Sequence, residues 1–261
     1  MSEFARIDWR GRALQLEYRW VGDPDANRPV VVFLHEGLGS VALWKDFPER
    51  FCRAHGLRGL VFSRYGYGKS TPRPHDERWP VDFMHRQARE VLPALFKALD
   101  IRQPWLFGHS DGASIALLYA ATFPQDVSGV IVAAPHIFVE EITLASIRQA
   151  RKTYLETGLR ERLATYHADI DSAFWGWNDV WLDPAFAAWN IEAELPAIAC
   201  PILAVQGEDD EYGTLEQVYG IQRKAPHARV LVMPRCGHSP HRDQPEALLR
   251  EAGSFIINNR A

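Results

Sequence analysis

The stretch Gly108-His109-Ser110-Asp111-Gly112 sets a hydroxyl between two glycines. An apolar, strand-like run ends there and a small-residue, helix-like run begins. G-x-S-x-G in that context places a serine on a sharp strand-to-helix bend, its hydroxyl projecting from the end of a sheet. The glycines leave room for the bend, and a helix N-terminus behind the serine favours developing negative charge. Ser110 is therefore expected to be a nucleophile; a plain glycine-rich turn with a capping serine is the competing reading. A serine hydroxyl is a weak nucleophile near neutral pH and needs a base. Of ten histidines, His238 follows the last strand-like run in "MPRCGHSPHRDQPEALL", at the same sheet edge, with His241 as the nearby alternative. The base in turn needs a carboxylate to fix its tautomer and stabilise the imidazolium. "PILAVQGEDDEYG" ends a strand in Glu208, Asp209, Asp210 and Glu211, of which Asp210 is preferred; the preceding strand ends Ala133-Ala134-Pro135-His136, without a carboxylate. An oxyanion needs preorganised N–H donors. The amide of Asp111 is one candidate, and the loop His35-Glu36-Gly37-Leu38-Gly39 after "VVVFL" holds another.

These groups can meet only if several strand ends share one edge. Strands are expected at Glu3–Trp9 and Leu14–Trp20, around a turn at Gly11, and in "RPVVVFLHEG", "RGLVFS", Trp105–Phe107, Ser128–Ala133, "PILAVQG" and "ARVLVMP". Helices are expected in "ALWKDFPERFCRAH", Met84–Leu99, Ala113–Phe123 and Pro245–Ile257. Short continuous apolar runs alternating with helical patterns predict an α/β fold, with a mostly parallel sheet covered on both faces. From about residue 135 to 200 no strand pattern occurs. That segment is expected to be a helical insertion over one end of the sheet. It holds Trp175, Trp177, Trp181 and Trp189, and the last three would share one face of a continuous helix. Such aromatics serve as core or as the apolar wall of an acyl or aromatic pocket.

The chain has 261 residues, 47% hydrophobic and 24% charged, with a formal net charge of -4. This suits a single soluble core and argues against nucleic-acid or anionic-membrane binding. Cys52, Cys200 and Cys236 form no CxxC and are expected to be reduced thiols. "MSEFARIDWR" has no signal-peptide core, and no apolar run approaches the roughly 18 residues of a membrane span. A cytoplasmic location is expected. No metal-ligand cluster or phosphate loop is visible, and Gly66 and Gly68 supply only G-x-G, too little to indicate a nucleotide. No cofactor is expected.

In order and spacing, "LHEGLGS", "SRYGYGKS", "GHSDGAS", "QGEDDEYG" and "CGHSPHRDQPE" resemble the α/β-hydrolase fold along nearly the whole chain. The resemblance implies an eight-stranded, mostly parallel sheet flanked by helices. Residues 1–134 and 201–261 would form the core and 135–200 a helical cap. It implies Ser110 as nucleophile, His238 as base, Asp210 as acid, and Asp111 and Gly37 as oxyanion-hole amides. Two features depart from the family pattern. Glu36 stands where relatives usually have glycine, and Ser63-Arg64-Tyr65-Gly66 replaces Asp-x-Arg-Gly. Ser110 argues against the dehalogenase and epoxide-hydrolase branches, which use an aspartate nucleophile. Asp111 has two readings. It bonds locally as a helix-capping or loop-binding acid, or it attracts a substrate ammonium, as in relatives that cleave α-amino-acid esters. Glu36, Trp175, Trp177 and Trp181 are candidate substrate contacts. The expected function is a cofactor-independent serine hydrolase acting on a small-molecule ester, lactone or similar acyl substrate. Alternatives are a carbon–carbon bond hydrolase, an amino-acid-ester or amide hydrolase, and a non-catalytic ligand-binding protein on the same fold.

Overall fold

A computed structural model describes residues 2–25 and 27–259. Eight strands form one sheet: β1 (Glu3–Trp9), β2 (Arg12–Gly22), β3 (Val30–Leu34), β4 (Arg58–Phe62), β5 (Trp105–His109), β6 (Gly129–Ala133), β7 (Ile202–Gly207) and β8 (Arg229–Met233). Their spatial order is β1-β2-β4-β3-β5-β6-β7-β8. The β1–β2 and β2–β4 pairs are antiparallel; every pair from β4–β3 onward is parallel. The continuous apolar runs of β5, β6 and β7 are buried at every position, as a sheet covered on both faces requires.

The two faces follow the strand period of two. On β3, Val32 and Leu34 enter one core while Val31 and Phe33 enter the other; on β5, Leu106 opposes Trp105 and Phe107 in the same way. The helices in chain order are α1 (Phe47–His55), α2 (Phe83–Arg86), α3 (Leu92–Ala98), α4 (Asp111–Thr122), α5 (Glu141–Glu156), α6 (Leu159–Ala164), α7 (Ile170–Trp181), α8 (Glu216–Lys224), α9 (Pro240–Asp243) and α10 (Pro245–Asn258). Phe47 and Phe51 of α1 and Leu248, Ala252 and Phe255 of α10 cover one face, while α4 lies in the core of the other.

Two helices differ from expectation. α1 begins at Phe47, because Val41–Asp46 forms turns before it. The helix expected over Met84–Leu99 runs as α2, a π turn over Gln87–Val91, and α3. Pro93 lies two residues beyond that turn, at the second position of α3. A proline lacks the N–H for the usual bond and its ring crowds the carbonyl four residues back, and the wider turn relieves both.

Residues 135–200 contribute no strand to the sheet. They hold α5, α6, α7 and two short 3-10 turns at Pro184–Ala188 and Leu195–Ala197, with one isolated bridge between Phe138 and Asn190. Among the described residues no helix is long and apolar enough to cross a membrane.

Candidate active site

Ser110 joins β5 to α4 with φ 52° and ψ −121°, a left-handed conformation uncommon outside glycine and costly unless its surroundings enforce it. Here they do. The Ser110 amide donates to the Ala133 carbonyl at 2.9 Å, and its carbonyl accepts from the Ala113 amide at 2.8 Å. Neither neighbouring glycine has room for a side chain. A Cβ on Gly108 would lie 2.4 Å from the Gly112 carbonyl oxygen, and one on Gly112 would lie 2.1 Å from that of Leu34.

His238 follows β8 and turns its ring toward the serine. Its Nε2 lies 3.0 Å from Ser110 Oγ, and its Nδ1 lies 2.8 Å from Asp210 Oδ1. An ionised carboxylate only accepts, so Nδ1 carries the hydrogen and Nε2 presents its lone pair to the hydroxyl. Asp210 is fully satisfied: Oδ1 also accepts from the Tyr212 amide at 2.8 Å, and Oδ2 accepts from Gln206 Nε2 at 2.8 Å. Burial works against its ionisation. The hydrogen bond and charge of His238, with the Tyr212 amide, outweigh burial and lower its pKa. The arrangement can move the Ser110 proton to His238 while Asp210 holds the ring.

The neighbouring acids face elsewhere. Asp209 donates its amide to the Cys236 carbonyl, and Glu211 accepts from the His238 amide at 3.1 Å. His241 is buried against Trp44 and His109, with ring centroids 4.9 and 4.8 Å away.

The loop after β3 is fixed from behind. His35 Nδ1 donates to the Glu36 carbonyl at 2.7 Å while its Nε2 accepts from the Arg64 amide at 2.9 Å. The Arg64 guanidinium donates to the same Glu36 carbonyl at 2.8 Å. Burial, followed by the charge of Arg64, keeps His35 neutral by pushing its pKa well down. In a planar trans peptide the N–H points opposite to the C=O. Pinning the Glu36 carbonyl therefore turns the Gly37 N–H away from Arg64. Among the described residues the amides of Gly37 and Asp111 have no acceptor. Gly37 also sits beneath Trp177: a Cβ there would lie 2.1 Å from the indole nitrogen.

A cavity of about 190 Å³ opens over Ser110. Gly37, Asp111, His136, Ile147, Trp177 and Trp181 contribute to its wall, as do Glu36 and Arg242. Trp177 and Trp181 share one face of α7, as their spacing of four requires. Trp175 lies on another face. It borders a separate, polar cavity and stands edge-on to Tyr154 at 5.8 Å, which corrects its assignment as a contact near Ser110. α7 ends at Trp181, so the helical face predicted to include Trp189 stops short of it.

The Asp111 side chain departs from the local bonding expected of it. It is fully buried and makes no capping bond; Oδ1 accepts from Trp181 Nε1 at 3.1 Å and Oδ2 lies 3.7 Å from Arg64 Nη2. Burial raises its pKa in spite of Arg64 and Trp181. His136, also buried on the cavity wall, is driven down to about 3 by burial and then by His238, so it is a neutral ring at working pH. His109, His136, Gln206 and Arg242 escaped the sequence reading. Gln206 and His109 left a local signal, each as a polar residue in an otherwise apolar strand. No cluster of metal-ligating side chains occurs among the described residues.

The chain matches the alpha/beta hydrolase family over residues 31–251. It is 25% identical over 272 residues to the sn-1-specific diacylglycerol lipase ABHD11 of Mus musculus, covering 94% of this chain and 86% of that protein. Identity to the serine hydrolase BPHL of Homo sapiens is 29% over 239 residues, covering 87% and 78% respectively. The fold is similar to the enol-lactonase from Burkholderia xenovorans LB400, with a TM-score of 0.77, 19% identity, and coverage of 98% of this chain and 100% of that one. With most of its length matched, this chain belongs to the alpha/beta hydrolase family and is a hydrolase.

Proposed function

We propose that the protein hydrolyses small carboxylic esters or lactones through an acyl-enzyme on Ser110. The observation that carries this reading is the Ser110–His238–Asp210 chain, at 3.0 and 2.8 Å, opening on a confined cavity. Ser110 Oγ attacks the acyl carbon as His238 Nε2 takes its proton, and Asp210 stabilises the imidazolium. The carbonyl oxygen, now carrying negative charge, is met by the Gly37 and Asp111 amides. His238 returns the proton to the leaving alkoxide, which departs as an alcohol. Water then attacks the acyl-enzyme with His238 again as base, releasing the acid and restoring Ser110.

The helices of residues 135–200 act as a cap, with Trp177 and Trp181 as the apolar wall over the acyl group. A dry apolar cavity of about 150 Å³ holds benzene, so about 190 Å³ suits a short or single-ring acyl group. A diacylglycerol lipase among the similar proteins supports oxygen-ester chemistry. Charge-neutral acyl groups are favoured over amino-acid esters, because Arg64 already stands beside the Asp111 carboxylate that an ammonium would need.

The test is labelling with a fluorophosphonate, peptide mapping, and turnover of short-chain aryl esters. Labelling at Ser110, and loss of both label and turnover in Ser110→Ala with folding intact, is the expected result. Retained turnover in Ser110→Ala would sink the mechanism. Folded wild-type protein that neither labels nor turns over these esters would overturn the acyl-enzyme reading and the small-ester substrate class.

A further inference from the structure

A second carboxylate and imidazole lie beside the first pair. Glu36 borders the cavity, and its side chain, 20% exposed, folds back over Gly39, where a Cβ would lie 2.4 Å from Oε2. Its Oε2 is 3.6 Å from His109 Nδ1, and its Oε1 is 3.4 Å from Arg242 Nη2. His109 is almost completely buried between these groups and the His238 loop. Its Nε2 lies 2.7 Å from the His238 carbonyl oxygen. A carbonyl only accepts, so Nε2 carries a hydrogen. Nδ1 has no hydrogen-bond partner among the described residues, and the nearest charge facing it is the Glu36 carboxylate. The other groups around the ring are His241, His238 and Trp44, with centroids 4.8, 5.2 and 6.4 Å away.

The two pairs therefore meet at one residue. Asp210 holds the His238 ring, while His109 holds its backbone. We propose that Glu36 and His109 are positioning residues for His238: the Nε2–H of His109 pins the His238 carbonyl and fixes the imidazole against Ser110, and the Glu36 carboxylate, 3.6 Å from Nδ1, holds the His109 ring when Nδ1 carries a second proton. Because Glu36 directly precedes Gly37, the same contact couples the loop that carries a candidate oxyanion donor to the loop that carries the base. The electrostatics of Glu36 agree with this role. Burial opposes its ionisation, but His109 and then Arg242 outweigh burial and hold its carboxyl well below the usual carboxylate range. The inference rests on the reading of His238 as the base.

The experiment measures kcat and KM for a short-chain aryl ester in wild type, His109→Leu, His109→Gln, Glu36→Gln and the Glu36→Gln/His109→Leu double variant, with Ser110→Ala alongside. A small misplacement of a reacting group costs on the order of 10- to 100-fold. His109→Leu is expected to lose kcat by about that factor with KM nearly unchanged. His109→Gln keeps an N–H that can reach the His238 carbonyl and recovers most of the loss. Glu36→Gln loses less, and the double variant falls no further than His109→Leu, because both changes break one contact chain. Wild-type kcat in His109→Leu, no recovery in His109→Gln, or fully additive losses would overturn the inference. If His109→Leu fails to fold by near-UV circular dichroism, the kcat of Glu36→Gln and His109→Gln decides. Turnover surviving in Ser110→Ala defeats the acyl-enzyme reading instead. An inactive Ser110→Ala beside fully active His109 variants defeats this inference alone.

Discussion

Two aspartates lie close to Ser110 with little or no solvent contact, and their surroundings drive them in opposite directions. Asp210 accepts three hydrogen bonds, from His238, the Tyr212 amide and Gln206, and its pKa is lowered although burial resists. Asp111 accepts one, from Trp181; its other oxygen faces Arg64 at 3.7 Å without a hydrogen bond, and burial raises its pKa. Burial alone therefore does not decide the state of a carboxylate. The number of donors aimed at its oxygens does. The same comparison separates two jobs. One side of the serine is saturated and suited to holding a base steady. The other ties α7 to the bend that carries the serine.

Changes on the two sides should differ in kind and size. Asp210→Asn is expected to cost on the order of 10⁴ in kcat, by analogy with other triads, and Asp111→Asn far less; steady-state kinetics on one ester compares them directly. A larger loss in Asp111→Asn would reverse the assignment of roles. Asp111→Ala leaves the buried Arg64 guanidinium with the Glu36 carbonyl but no facing carboxylate, and should lower stability by about 3 kcal/mol, the low end for a broken buried pair, read from urea unfolding. Trp181→Phe removes one hydrogen bond to a charged group, worth about 1.5–3 kcal/mol, and loosens α7 rather than the base.

The smallest effect is on acid stability, and there the two aspartates have opposite signs. Asp210, lowered in the folded state, contributes stability above its unfolded pKa, and this is lost as pH falls through the folded value. Asp111, raised in the folded state, takes up its proton earlier than the unfolded chain does, so the folded state gains as pH falls through its value. Asp111→Asn should steepen the acid loss as pH falls from neutral toward about 4, and Asp210→Asn should flatten it as pH falls further below about 4. Parallel pH–stability curves for the two variants would contradict the assigned directions.

The legible parts of the molecule were those with a local pattern. Buried strands announce themselves by continuous apolar runs, and Ser110 and His238 sit at strand ends beside glycine-bearing turns. Spacing narrowed the acid to a run of four residues, and Asp210 is the one that the structure turns toward His238. Other features depend on contacts far apart in the chain. Arg64 meets Asp111 and Glu36, and Arg242 reaches Glu36 from α9. No window of sequence contains both members of such a pair. Trp175 was misplaced because no local spacing shows which face of α7 meets the cavity; two residues from Trp177, it falls on the other side of the helix. The π turn before Pro93 is a similar case, since a helical period by itself does not show where one extra residue is accommodated.

The strand order carries a consequence for how the molecule comes into being. β1 and β2 can pair across a tight turn, but β3 must wait for β4 and β5, and Val31 meets Trp105 only after a long stretch of chain has closed. Gly37, Ser110, His136, Asp210 and His238 follow five different parallel strands, so the site is complete only once all five have paired. Refolding of this chain should be slow for its size, with helix content returning first and turnover last. During that interval the unpaired central strands lie open to other chains, and dilution should raise the yield of active protein.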